Sequence, residues 1–257
     1  TMINCSRLGI PAKIGTFLGD DMFSQFAKAE LGKSGTQYEI FESKNYPLNV
    51  TSAIITDRDR TFVSYGGTEN YSDERLEKIY NCLKGAKVVG MQENILPVYK
   101  QLKKDGTILV LDTGYSEDMS VEKYKDLIEI ADYYTPNIDE TEKLTGTRDP
   151  KKALDFLRNY FEKPIVKLGK NGCAGYDGDY FTVDNIDEFK CVDATGAGDA
   201  FLAGFIYGLY NDYDFRQCIL AGNITGGKCV TGVGCLTEYI NEKEIKEYLE
   251  KCQNLIR

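Results

Sequence analysis

Between residues 88 and 168, short apolar runs alternate with helical patterns, and this alternation narrows the choice of fold more than any other feature. Val88-Val89-Gly90-Met91, Ile108 to Asp112, Tyr133-Tyr134-Thr135 and Pro164 to Leu168 read as strands. Leu96 to Lys104, Val121 to Ala131, Ile138 to Leu144 and Lys151 to Tyr160 read as helices between or beside them. A strand that returns through a helix lies parallel to the one before it, and a parallel sheet is covered on both faces. The expectation is an α/β fold, with a central, mostly parallel sheet and helices on both sides. A strand over Lys13 to Leu18 and a helix over Asp21 to Leu31 extend the pattern. That helix would turn Met22, Phe23, Phe26, Ala27 and Leu31 to the core.

One segment breaks the alternation. Thr51 to Thr56 and Thr61 to Tyr65 are β-rich, flank Asp57-Arg58-Asp59-Arg60, and end at Gly66-Gly67. This reads as a hairpin that leaves the sheet, within a lid-bearing segment over residues 36–67. Ala53, Ile54, Ile55, Phe62 and Val63 place apolar groups on both faces of the hairpin. Each face must then cover something, either a ligand and a second subunit or the protein's own core.

Composition excludes several classes of chemistry. A chain of 257 residues suits one domain over 1–257. No apolar run approaches the ~18 residues of a membrane span. The formal net charge of −9 argues against broad binding to nucleic acid or an anionic membrane. There is no histidine, so acid–base work falls to Asp, Glu, Lys, Tyr or Cys. The eight cysteines form no C-x-x-C pair and read as buried free thiols of a cytoplasmic protein.

The chemistry concentrates in residues 192–206, Val-Asp-Ala-Thr-Gly-Ala-Gly-Asp-Ala-Phe-Leu-Ala-Gly-Phe-Ile. The second half is an apolar helix running to about Tyr210, with Gly196-Ala197-Gly198 at its start. Small residues let a ligand approach the backbone, and the first amides of a helix form an anion site. Asp199 in the first turn is placed to accept a proton beside that site. The plainer reading is a tight turn with Asp199 as a helix cap.

Asp193-x-Thr195-Gly196-Ala197-Gly198-Asp199-x-Phe201-x-x-Gly204 resembles the signature of the ribokinase-like (PfkB) carbohydrate kinases. Asn137-Ile138-Asp139-Glu140 resembles the family's N-x-x-E motif. Lys167-Leu168-Gly169-Lys170-Asn171-Gly172 resembles its nucleotide-binding strand and turn. Arg7-Leu8-Gly9 and Gly15 to Asp21 resemble its N-terminal helix end and following strand. The likeness spans nearly the whole chain. It implies a ribokinase-like fold with a small β lid, and an ATP-dependent enzyme that phosphorylates a hydroxyl of a small sugar.

The resemblance also implies roles. Asp199 would be the base, and Gly196, Ala197 and Gly198 the anion hole. Asn137 and Glu140 would lie near the ATP phosphates, with Glu140 organising Mg²⁺ through water. The alternative for this pair is a helix cap and capping box. Lys167 would meet a phosphate or be a solvated strand-end lysine; Gly169 and Gly172 belong to the nucleotide turn. Asn223 would lie at the adenine end or pack between helices. Asp193 and Thr195 would help hold K⁺, with backbone near Val230, Val233 and Cys235. Gln92-Glu93-Asn94, after a strand end, would face the substrate or form an ordinary polar loop. Some relatives pair through their lids as homodimers. A Gly-Gly-x-x-x-Asn motif of the family would fall before Thr1, so that motif, a first strand and part of the lid are expected outside these residues. Alternatives are a nucleoside or vitamin B6-type kinase of the same superfamily, or a non-catalytic nucleotide- or sugar-binding regulator.

Overall fold

Parallel pairing carries the sheet, as the alternation predicts. The structure, a computed structural model, describes residues 1–41, 48–55, 60–65 and 71–257. A short helix α1 (Met2–Arg7) leads to β1 (Lys13–Thr16), α2 (Met22–Lys33) and β2 (Gln37–Ile40), with β1 and β2 parallel. The hairpin β3 (Val50–Ile55) and β4 (Arg60–Tyr65) follows, antiparallel, with Val50 opposite Tyr65. Then come α3 (Asp73–Leu83), β5 (Val88–Met91), α4 (Leu96–Lys104), β6 (Ile108–Leu111), α5 (Val121–Ile128) and β7 (Tyr133–Tyr134). Strands β5, β6 and β7 form a parallel sheet in that order. Helices α6 (Ile138–Thr145) and α7 (Pro150–Leu157) precede β8 (Ile165–Lys167), β9 (Cys173–Asp177) and β10 (Asp179–Val183), an antiparallel set in the order β10-β9-β8. The chain ends in α8 (Ala197–Tyr210), α9 (Phe215–Cys229) and α10 (Glu242–Lys251), followed by a short 3-10 turn. Asn137 and Lys167 form a parallel bridge that ties the start of α6 to β8.

The period-2 alternation of the strands supplies both faces of the core. Leu109 and Leu111 join one buried cluster with α3 to α7, while Val110 between them joins the other with α1, α8, α9 and α10. Ile165 and Val166 divide in the same way, as do Cys173 and Ala174. Among the described residues no helix is long and apolar enough to cross a membrane.

Helix α8 is apolar all round and almost wholly buried. Glycine lets it lie directly on α9. A Cβ on Gly204 would stand 2.3 Å from the Ala221 carbonyl oxygen and the Thr225 hydroxyl; one on Gly208 would stand 2.7 Å from the Cys218 sulfur. Thr225 donates its hydroxyl to the Ala200 carbonyl at 2.7 Å, pinning the two helices near the start of α8.

Two expectations change here. In α2, Met22, Phe23 and Phe26 are exposed at 75%, 48% and 65%, while Ser24 and Leu31 are buried. The reason is the helical period: at about 100° per residue Met22 and Phe26 lie about 180° and 140° around the axis from Leu31, whereas Ser24 shares its face. Of the eight cysteines, all free, Cys191 and Cys235 are exposed rather than buried. In the hairpin, Ile54, Val63 and Tyr65 are exposed and share one face. Thr56, the Asp57-Arg58-Asp59 turn and Gly66-Gly67 lie outside the described residues, as do the side chains of Ala53, Ile55 and Phe62.

Candidate active site

A cleft of about 1520 Å³ runs along the ends of β5 and β6 and past β1 to the start of α8. Asn137, Glu140, Lys167, Gly196, Gly198 and Asp199 all line it, as do Asp112 and Gln92-Glu93-Asn94. Six of the expected site residues, drawn from three separate stretches of sequence, are thus brought together.

The loop before α8 is tied down by its own polar groups. Val192 and Asp193 donate their amides to the Val230 carbonyl at 2.7 and 3.2 Å. Asp193 accepts the Thr195 amide and hydroxyl at one carboxylate oxygen, and the Gly234 amide at the other. Gly196 then takes the N-cap position in the left-handed region, φ +82°. A Cβ there would stand 2.2 Å from the Cβ of Cys235, so both the backbone and its neighbour demand glycine. No side chain caps α8. Its first amides belong to a helix end with partial positive charge.

Asp199 is the third residue of that helix, and its side chain is 65% exposed. It accepts the Thr1 hydroxyl. Surrounding protein pushes its carboxyl up, while the Thr1 hydroxyl and the Lys167 ammonium draw it down.

At α6 the arrangement differs. Asn137 accepts the Asp139 and Glu140 amides, and Glu140 accepts the Asn137 amide at 2.8 Å, a closed capping box. The Glu140 carboxyl is buried, 3% exposed, and burial pushes its pKa up; Lys167 draws it down and Asp112 adds to the rise. Both residues cap the helix and also line the cleft.

Lys167 is not a solvated strand-end lysine. It is 9% exposed, its amide donates to the Pro136 carbonyl, and its ammonium lies 3.2 Å from Asp112 Oδ2. Asp112 also accepts the Thr135 hydroxyl at 3.2 Å. The sequence reading missed Asp112, although a polar residue at a strand's C-terminal end was the same signal it applied to Gln92-Glu93-Asn94.

Other expected residues lie off the cleft lining. Gly169 and Gly172 form the turn after β8, both with positive φ, and a Cβ on Gly172 would stand 2.0 Å from the Val183 carbonyl oxygen. Asn223 has its amide engaged inside the protein: it accepts the Cys173 thiol and donates to the carbonyls of Val183 and Asp184. This is the helix-packing arrangement. Among the described residues no group of three or more acidic or cysteine side chains is placed to hold a metal ion.

Comparison with known proteins agrees with this geometry. The profile described as pfkB family carbohydrate kinase matches residues 1–242. An uncharacterized sugar kinase of Archaeoglobus fulgidus is 26% identical over 247 residues, 89% of this chain and 95% of its own length. Fructoselysine 6-kinase of Escherichia coli is 26% identical over 236 residues, 89% of this chain and 86% of its own. Among solved structures, Arabidopsis thaliana ribokinase complexed with ribose and ATP superposes with a TM-score of 0.83 at 23% identity, covering 97% of this chain and 85% of that one.

Proposed function

Because the chain belongs to the pfkB family of carbohydrate kinases, we propose that it transfers the terminal phosphoryl group of ATP to a hydroxyl of a small sugar or sugar derivative. One observation carries the reading: Asp199 sits in the first turn of a helix whose N-terminus no side chain caps, and both border one cleft. Asp199 takes the proton from the sugar hydroxyl as its oxygen attacks phosphorus. The bond from phosphorus to the bridging oxygen breaks, and ADP leaves with that oxygen. The amides around Gly196, Ala197 and Gly198 meet the charge on the moving group.

Glu140, beside Asn137, would hold Mg²⁺ through water, and the ion would offset phosphate charge. The fit is electrostatic: a buried carboxyl pushed toward its neutral form regains its charge beside a cation. Lys167 reaches the same place as a phosphate ligand. Gly169 and Gly172 shape the turn on the nucleotide side, and Asn223 supports that turn from behind through Cys173 and Val183. Asp193 and Thr195, 2.7 Å apart beside the anion hole, are the proposed K⁺ contacts.

The hairpin of β3 and β4 is proposed as the lid. Its exposed face of Ile54, Val63 and Tyr65 suits either the ligand or a second subunit's hairpin. Deleting residues 52–64 should raise the ratio of ATP hydrolysis to sugar phosphorylation; an unchanged ratio in a folded deletion protein removes the lid role.

The test of the function is ADP release, measured with a panel of sugars, nucleosides and B6 vitamers, in K⁺ and in Na⁺. Release that depends on one sugar, faster in K⁺, is the expected result. Release with nucleosides or vitamers alone selects the alternative kinases, and no release with any acceptor favours a non-catalytic regulator.

A further inference from the structure

We propose that Asp112 is the positioning residue for Lys167, holding its ammonium against the N-terminus of α8, where the transferred phosphoryl group would lie. The inference rests on the kinase reading. Lys167 has a flexible four-carbon stem, and a buried ammonium without a partner is costly. Asp112 provides that partner at 3.2 Å. The carboxylate is itself fixed before any ligand arrives: Thr135 donates its hydroxyl to Oδ2 at 3.2 Å and Gly114 its amide to Oδ1 at 3.4 Å. Thr135 is fully buried just beyond β7. Three segments therefore converge to place one charge.

The position of that charge is informative. A Cβ on Gly198 would stand 3.6 Å from Lys167 Nζ, so the ammonium lies against the uncapped first turn of α8. It also lies 5.6 Å from the centre of the Phe201 ring in the next turn. Helix amides and ammonium converge on one small volume beside Asp199.

Asp112 has two opposed effects on an incoming polyphosphate. Its negative charge weakens the attraction of the site for phosphate. Its hydrogen bond fixes where the ammonium stands. A residue that lowers ground-state affinity while fixing geometry raises turnover rather than binding. This separates positioning from a purely structural role, because loss of structure would weaken both.

The experiment uses Asp112→Asn, Lys167→Met and the double variant. ATP affinity in the presence of Mg²⁺ is measured by calorimetry. Turnover is measured as ADP release, with the accepted sugar and in its absence. Asp112→Asn should bind ATP as tightly as wild type or more tightly, yet turn over about 10–100-fold more slowly, the loss expected from a small misplacement. Lys167→Met should weaken ATP binding. Adding Asp112→Asn to Lys167→Met should change turnover by less than about twofold, since no ammonium is left to position. Losses that multiply in the double variant overturn the inference, as does Asp112→Asn weakening ATP as much as Lys167→Met. If Asp112→Asn does not fold, Thr135→Val loosens the same carboxylate and should move turnover and affinity in the same two directions; an effect on affinity alone overturns the inference. A wild-type protein that binds no ATP sinks the kinase reading and this inference with it, whereas ATP binding with multiplicative losses sinks the inference alone.

Discussion

Helices α6 and α8 both begin at the cleft, and both carry an acid three residues after the N-cap, Glu140 and Asp199. They use it in opposite ways. At α6 the N-cap is Asn137, whose side chain takes two amides while Glu140 reaches back to a third. The helix satisfies itself. At α8 the N-cap is Gly196, which has no side chain to offer, and Asp199 closes no box. No side chain caps that helix, and its acid accepts a hydroxyl from Thr1, outside the helix. One position, Asn against Gly, decides whether the helix start is closed by a side chain of its own.

The comparison breaks first at Asp199. Asp199→Asn keeps the shape and removes the base, so turnover should fall ~10²–10⁴-fold while ATP binding measured by calorimetry stays near wild type. A variant keeping more than half its turnover would make α8's acid as structural as α6's.

Two glycines sharpen it next. Gly196→Ala places a Cβ into Cys235 at positive φ and should lower stability by about 1–3 kcal/mol, read from thermal melting. Gly198→Ala meets only the Lys167 ammonium, at 3.6 Å, and should melt like wild type. Its turnover should nonetheless fall, because the new methyl occupies space a phosphoryl group needs. Equal stability losses in the two variants would mean the loop has a shape other than the one described.

The smallest effect belongs to α6. Burial raises the Glu140 pKa above its unfolded value, so its neutral form adds stability at low pH, and that contribution is lost as pH rises through the folded pKa. Glu140→Gln keeps an acceptor for the Asn137 amide and cannot ionise. Its melting temperature should match wild type near pH 4 and exceed it increasingly toward neutrality, while Mg²⁺-dependent turnover drops. A Gln variant less stable at pH 7 would show that the ionised cap matters more than its burial.

Much of this was legible in sequence, and the gaps have physical causes. Strands β5 to β8 and helices α4 to α7 appear close to where periodicity puts them, because each buries a regular stripe. Helix α2 misled because its apolar residues do not make one stripe: Met22 and Phe26 lie far around the helix from Leu31. The β9–β10 hairpin was missed, although Asp177-Gly178 between two β-rich runs is a strong turn signal. At the site, the roles expected of Gly196 and Asp199 come from local spacing, and both residues line the cleft. Asp112 was not, since its partner Lys167 lies 55 residues away and no sequence period links them. Asn223 reads the same whether it faces a ligand or a strand end; only the fold separates the two.

The glycine contacts between α8 and α9 have a mechanical side. With Gly204 against the Ala221 carbonyl and Gly208 against Cys218, the two backbones interlock like meshed teeth, and α8 cannot slide along its axis without collision. The α8 end of the cleft is thus a fixed anvil. Differences in sugar shape would have to be met elsewhere along the cleft, at β1 and the β5–α4 loop, which also line it. Substrate choice can then change by substitution along one side of the cleft while the chemistry on the other side stays as it is.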